Sequence, residues 1–271
     1  MYKLLDASPL SLPLHGNIHD LPDPPPNSIP DVPDEEITVH YQRLVGSILY
    51  LSLCTRPDLA FTAMSLGQYN SNPTRAHLLV AKRVLRYISG TRDYALEYNF
   101  THPSPDPPTR LILPADFGVV DADWASDTDT RRSVSGYAFF LYSSLVSWSS
   151  TKQKTVALSS TEAEYMALSH AIREAISIRF LLTSLDLPVP RPLQIFCDNK
   201  SALDIANSDS TTSRSKHIDI RYHFIRDQLK TGSFSTSWIS TSDMIADILT
   251  KALPKALHYK FVPALGLVSR L

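Results

Sequence analysis

A chain of 271 residues with 43% hydrophobic content can build one large domain or two smaller ones, each with a real core. A formal net charge of −1 speaks against a global electrostatic grip on nucleic acid and leaves room only for a local basic surface. The two cysteines, Cys54 and Cys197, follow no metal spacing and form no disulfide framework, and no apolar run reaches the roughly 18 residues of a membrane span.

The start, MYKLLDASPLSLPLHG, lacks a basic segment followed by a clean apolar stretch, so no signal peptide is expected. With the sparse cysteines this points to an intracellular protein in a reducing compartment, cytoplasmic or nuclear. Residues 1–37 are dense in proline, which removes donors and fixes φ, and are expected to be an extended leader without a core of its own. Residues 38–100 form a small, mainly helical module. In it, VHYQRLVGSILYLSLC places Leu44, Ile48 and Leu51 at helical spacing, and RPDLAFTAMSLGQYN opens on a first-turn proline. NPTRAHLLVAKRVLRYISG carries Leu78, Leu79, Ala81, Val84, Leu85 and Ile88 and stops at Gly90, and YALEYNF alternates like a strand. A second proline cluster makes residues 101–111 a linker.

Residues 112–271 change pattern. ADFGVVDADWA is a predicted strand, SVSGYAFFLYSSLVSWSS a hairpin of two more, and 159–185 a long helix. Then come a strand at LQIFCD, a short helix at NKSALDIANS and a helix at SKHIDIRYHFIRDQLKTG. A strand at SFSTSWIS and a helix at SDMIADILTKAL follow, with Pro254 leading a last helix. Three strands, a helix, then alternating strand and helix predict an α/β sheet of mixed direction.

Four acids stand where a core element reaches an edge: Asp121 in the first strand, Glu164 at the start of the long helix, Asp198 at the end of LQIFC, and Asp247 after the last strand. Steps of four and three from Glu164 reach Leu168, Ala171, Ala175, Ile178 and Leu182, so Glu164 heads the apolar stripe. Ser159 and Glu162 have the spacing of a capping box, which accounts for Glu162 and leaves Glu164 unexplained. A carboxylate facing a core must be paired, protonated or bound to a cation, and several converging carboxylates favour a divalent cation. Alternation alone does not choose between Asp121 and Asp123, which share a strand face. Asp127 and Asp129, in the turn SDTDTRRS, are expected to be solvated, and Trp124 and Trp148 to pack in the core or a turn.

The stretches VDADWASDTDTRRSVSGYAFFL, VSWSSTKQKTVALSSTEAEYMAL, FCDNKSALDIA, KHIDIRYHFIRD and MIADILTKALP, in this order, resemble the ribonuclease H domain of copia-type LTR retrotransposons. RLVGSILYLSLCTRPDLAF and AKRVLRYISGTRDYALEY resemble the preceding thumb and connection region of reverse transcriptase in the same Pol polyprotein, and the resemblance spans about residues 38–265. It implies a ribonuclease H-like α/β fold: a five-stranded mixed sheet, first three strands antiparallel, flanked by helices and preceded here by the helical module. It also implies that Asp121, Glu164, Asp198 and Asp247 are the catalytic and metal-binding acids, and that the reaction is hydrolysis of the RNA strand of an RNA–DNA hybrid. Two Mg²⁺ ions, with Mn²⁺ as a substitute, would sit about 3.5–4 Å apart. Asp121 would bridge them, Glu164 and Asp198 would complete one side near a ribose 2′-hydroxyl, and Asp247 would hold the second. The implied partners are the hybrid and the polymerase part of a reverse transcriptase, with no membrane. One departure is the turn LYSSLVS, where relatives carry glycines.

A hybrid needs phosphate contacts. Arg214, Lys216, His217 and Arg221, with Arg226 and Lys230, are read either as a solvated basic helix face or as a phosphate-binding one. Lys152 and Lys154 are further candidates, as are Arg131 and Arg132. No histidine falls near the last acid, and none is assigned to catalysis. The competing reading is an inactive retroelement remnant or connection module that binds nucleic acid or a reverse transcriptase. A transposase on the same fold is disfavoured, because its last acid is usually glutamate.

Overall fold

The structure, a computed structural model, describes residues 8–16, 18, 35–98, 113–208 and 216–270, with backbone alone for 35, 36, 216–220 and 222. In chain order the elements are α1 (Glu35–Cys54), a 3-10 turn (Pro57–Leu59), α2 (Ala60–Gly67), α3 (Arg75–Gly90) and β1 (Tyr94–Leu96). Then follow β2 (Phe117–Asp123), β3 (Val134–Leu141), β4 (Ser144–Lys152), α4 (Ser160–Ser184), β5 (Leu193–Cys197), α5 (Lys200–Asn207), α6 (Lys216–Lys230) and β6 (Phe234–Trp238). Two 3-10 segments, Thr241–Asp243 and Ile245–Leu249, lead to α7 (Lys255–Ala264) and β7 (Leu267–Ser269). The chain divides into two units, Met1–Glu97 with Lys251–Leu271, and Tyr98–Thr250.

In the first unit, α3 turns Leu78, Ala81, Val84 and Tyr87 inward, while Leu79 stays 61% exposed, so the stripe is narrower than the apolar content of the helix suggests. Thr74 caps this helix by accepting from the His77 amide, and His77 Nδ1 accepts from the Thr74 amide in return. The described part of the leader, irregular with bends at Ser11, Pro13 and Gly16, buries Leu12, Leu14 and Ile18. Arg86 Nε donates to the Ser8 carbonyl, and a Cβ on Gly90 would meet Pro9 Cβ at 2.8 Å. These described leader residues therefore pack into the core of the first unit.

Residues 251–271 correct the division drawn from sequence, which put them with the ribonuclease H-like part. β7 pairs antiparallel with β1, Tyr94 against Ser269 and Leu96 against Leu267, which ties the C-terminal segment to the first unit. A two-stranded pairing between residues some 170 positions apart carries no local signal. A buried polar chain runs through the same unit. Arg56 grips Asp58 with two bonds of 2.9 and 2.7 Å and the Thr91 carbonyl with a third. Tyr87 donates to Asp58 at 2.7 Å and lies 3.0 Å from His258 Nε2. Burial, the largest cause, pushes His258 down to about 4.

The second unit is built on a five-stranded sheet of order β4-β3-β2-β5-β6. β2, β3 and β4 are mutually antiparallel, and β5 runs parallel to both β2 and β6. This is the expected ribonuclease H-like sheet, with α4, α5 and α6 covering one face around Val120, Phe139, Ile195, Leu168 and Ile172. The hairpin between β3 and β4 closes through Tyr142 and Ser143, at φ 52° and 62°. Both loop residues are left-handed, the geometry that usually recruits glycine or asparagine. The turn keeps its two-residue form without glycine, held by a bond from the Tyr142 amide to Asp116 Oδ1. Residues 242–253, expected as a helix, are instead the short 3-10 segments ending at Leu249. Ile245 through Leu249 are all buried, so packing on several sides decides the conformation that helical spacing alone suggested.

Candidate active site

Asp121 lies on the central strand, facing away from the α4 side, 2% exposed and paired across the ladder with Gly136. The parallel pairing of β2 with β5 ends with Val119 against Phe196; Asp121 follows two residues further along β2, and Asp198 just past the end of β5. Both acids therefore lie just beyond the last paired residues of two adjacent parallel strands, and both bring their charge to bear on Glu164. Asp123 is half-buried at the last position of β2.

Glu164 reaches the same edge from α4. Its stripe is as expected, since Leu168, Ala171 and Ala175 are fully buried and Ile178 and Leu182 nearly so. Ser159 accepts from the Glu162 amide at 3.1 Å, but Glu162 bonds the Leu158 amide, one residue short of the reciprocal capping-box contact. Gln153, at the exit of β4, donates to Ser135 Oγ and to the Ala163 carbonyl, which fixes the helix start one residue before Glu164. Glu164 is 5% exposed and its carboxyl is held well above the usual range, first by burial and then by the charges of Asp121 and Asp198. The Ala122 amide and the Cys197 thiol, 3.7 Å from Oε2, oppose the shift in part.

Glu164, Cys197 and Asp198 each offer one ligand atom within 4.8 Å of the others. Burial, then the neighbouring Glu164, raises the Cys197 thiol well above its ordinary range, so it stays protonated and acts as a weak donor to the glutamate. What remains is a set of hard carboxylate oxygens, which suits Mg²⁺ or Mn²⁺ and not a thiolate-seeking metal. A buried carboxyl strained by two neighbouring acids fits such a cation, whose charge offsets the repulsion.

Asp247 lies on the 3-10 segment that packs on β2 and β3, 4% exposed, and neither it nor Asp121 is part of the close ligand-atom group of Glu164, Cys197 and Asp198. The segment lies on β2 and β3 because Gly136 has no side chain: a Cβ there would meet Thr250 Cγ2 at 2.7 Å, Leu249 Cβ at 2.9 Å and the Ala246 carbonyl at 3.3 Å. Thr250 Oγ1 donates to Asp121 Oδ2 and lies 3.2 Å from the Asp247 carbonyl. Thr241 Oγ1 donates to Asp198 Oδ2 at 2.7 Å, and Trp238 Nε1 donates to the Asp198 carbonyl at 3.0 Å. None of Gly136, Gln153, Thr241 and Thr250 was singled out from sequence. The only signal was the threonine three residues after Asp247.

The basic candidates divide. Lys152 is tied to Asp127, which is 3% exposed and also accepts from the Thr130 amide and hydroxyl. The expectation of a solvated Asp127 is thereby corrected: it organises the turn, and Lys152 is its counter-ion. Asp129, Lys154, Arg131 and Arg132 are exposed, and Arg221 is half-buried on α6. Arg226 is buried and donates to the Ile205 carbonyl, which ties α6 to α5. The side chains of Lys216 and His217, and all of Arg214, lie outside the described residues. Trp124 is 46% exposed with its Nε1 bonded to the Ala157 carbonyl, a turn contact as expected.

Strand order and acid placement together define the second unit as a ribonuclease H-like α/β domain. No protein-family model matches the chain. It is 40% identical over 228 residues to the retrovirus-related Pol polyprotein from transposon RE2 of Arabidopsis thaliana, covering 84% of this chain and 15% of that protein. To the Pol polyprotein from transposon TNT 1-94 of Nicotiana tabacum it is 35% identical over 254 residues, covering 94% and 18%. A Plasmopara viticola protein named secreted RxLR effector protein 161 is 49% identical over 138 residues, 51% of this chain and 90% of that one. The chain's homologues are copia-type retrotransposon Pol polyproteins, and it spans less than a fifth of the two named. Among solved structures, RNase H1 from Halobacterium salinarum NRC-1 aligns over 50% of this chain and 93% of its own at 15% identity, with a TM-score of 0.37. LC11-RNase H1, solved in complex with an RNA/DNA hybrid, aligns over 50% and 93% at 12% identity, with a TM-score of 0.39. No helix among the described residues is long and apolar enough to cross a membrane.

Proposed function

We propose that the second unit is a metal-dependent ribonuclease H that hydrolyses the RNA strand of RNA–DNA hybrids during retrotransposon reverse transcription. The first unit, in this reading, corresponds to the end of a reverse transcriptase and packs with its polymerase part. The observation that carries the proposal is geometric: the buried Glu164 carboxyl has a ligand atom within 4.8 Å of one on Asp198, with Asp121 beside them on β2. Asp121, Glu164, Asp198 and Asp247 would hold two divalent cations. Mg²⁺ bound there would supply a water that is nucleophilic at neutral pH and offset charge on the leaving 3′ oxygen.

The chain's own residues provide position. β2 carries Asp121, the end of β5 leads into Asp198, the apolar stripe of α4 carries Glu164, and Gly136 leaves room for the segment that bears Asp247. Lys154, Arg221, Arg214, Lys216 and His217 are the proposed phosphate contacts, whereas Lys152 is committed to Asp127. Preference for RNA would come from 2′-hydroxyl contacts and minor-groove shape, which need no sequence reading. The test is a gel assay on labelled hybrid with Mg²⁺, Mn²⁺ or chelator, using the full chain and Asp121→Asn. Metal-dependent cuts in the RNA strand that vanish in the variant support the proposal. Intact hybrid under every condition would leave the inactive-remnant reading in its place, and equal cutting of double-stranded DNA would also overturn it.

A further inference from the structure

We propose that Thr250 and Thr241 are positioning residues for the divalent-cation site, an inference that rests on the carboxylate cluster being such a site. The ten-residue stretch Thr241–Thr250 does more than present Asp247. One hydroxyl at each end of it grips a different acid on a different strand: Thr250 holds Oδ2 of Asp121 on β2, and Thr241 holds Oδ2 of Asp198 after β5. Both aspartates are thus held through one oxygen from the stretch that delivers the fourth acid. Thr250 also touches the Asp247 carbonyl, so a single hydroxyl links the first acid to the backbone of the fourth.

The physical role follows from the freedom of an aspartate. With two side-chain torsions, a carboxylate among like charges turns away from its neighbours unless something restrains it. A hydroxyl donor restrains that rotation without adding charge. This is the service that outer partners of ligating carboxylates give in metal sites, where their removal weakens affinity roughly 10- to 100-fold. The two threonines differ in surroundings. Thr250 is fully buried and water does not replace its hydroxyl, whereas Thr241 is exposed and water can. Neither is a catalytic residue, since each acts through an acid.

The experiment titrates Mn²⁺ into the full chain and reads free Mn²⁺ by electron paramagnetic resonance, without substrate. Thr250→Val is expected to weaken binding about 10-fold, and Thr250→Ser, which keeps the hydroxyl, to restore it. Thr241→Val is expected to weaken it by a smaller factor, and Asp121→Asn to weaken it most. Wild-type affinity in Thr250→Val, or a Thr250→Ser variant as weak as Thr250→Val, would overturn the proposal, the latter by assigning the effect to packing. If Thr250→Val does not fold, exposed Thr241→Val decides: unchanged affinity there defeats the two-hydroxyl bracket. A wild-type chain that takes up no Mn²⁺ would sink the cation reading itself, an outcome distinct from tight wild-type binding with indifferent variants.

Discussion

Gly136→Ala tests the placement of Asp247 without touching any acid. The added methyl would stand 2.7 Å from Thr250 Cγ2, 2.9 Å from Leu249 Cβ and 3.3 Å from the Ala246 carbonyl. Carbon atoms settle at about 3.5–4.0 Å, so the segment must lift by about 0.8 Å or more. Two of the three clashing atoms are a Cβ and a backbone oxygen, so side-chain rotation alone cannot relieve the crowding. Overpacking of this kind costs about 1–3 kcal/mol of stability. A displacement near 1 Å at a positioned group costs about 100-fold in rate. The expected result is a folded variant with a lowered melting temperature and cleavage of hybrid reduced about 100-fold, with Mn²⁺ affinity falling alongside. Gly46→Ala in α1, where nothing lies within 4 Å of the new methyl, serves as control and should gain up to about 1 kcal/mol. A Gly136→Ala protein that cleaves at the wild-type rate would refute the idea that the bare strand position sets the depth of the Asp247 segment.

Two further outcomes follow from strain and from linkage. Ser143→Gly in the β3–β4 turn keeps the left-handed conformation but removes the Cβ strain that costs about 1 kcal/mol there, and should raise stability by up to that amount in denaturant unfolding; no change would mean that the strain is relieved in another way. His258 is buried neutral at about 4 against an ordinary 6.5, so the unfolded chain takes up its proton first as pH falls. The stability it contributes is whole above pH 6.5 and is lost between 6.5 and about 4, in total about 3 kcal/mol. Unfolding free energies across that window should slope downward toward acid, and His258→Gln should flatten the slope; an unchanged slope in the variant would point to other groups.

Much of the second unit was legible from periodicity. The stripe of α4, the strand LQIFC and the proline-led α7 are local patterns, and Glu164 stood out as a polar residue heading an apolar row. The choice of Asp121 over Asp123 came from resemblance, since two strand neighbours on one face look alike to any periodic rule. The 3-10 course of 245–249 was missed because its residues are buried on more than one side, which mimics a helical stripe without being one. Asp127 was misjudged for a related cause: a turn acid looks solvated until its lysine, 25 residues away, is folded against it.

The amino-acid order by itself determined most of the elements, the apolar faces and the resemblance, because propensity, periodicity and motif spacing act over a few residues at a time. Tertiary structure alone decided which acids share an edge, which glycine admits the last of them and which threonines hold their carboxylates. It also decided that residues 251–271 join the first unit through β1 and β7. Those outcomes depend on strand register and cross-chain approach, where groups more than a hundred residues apart meet within hydrogen-bond range, and no local pattern encodes that distance.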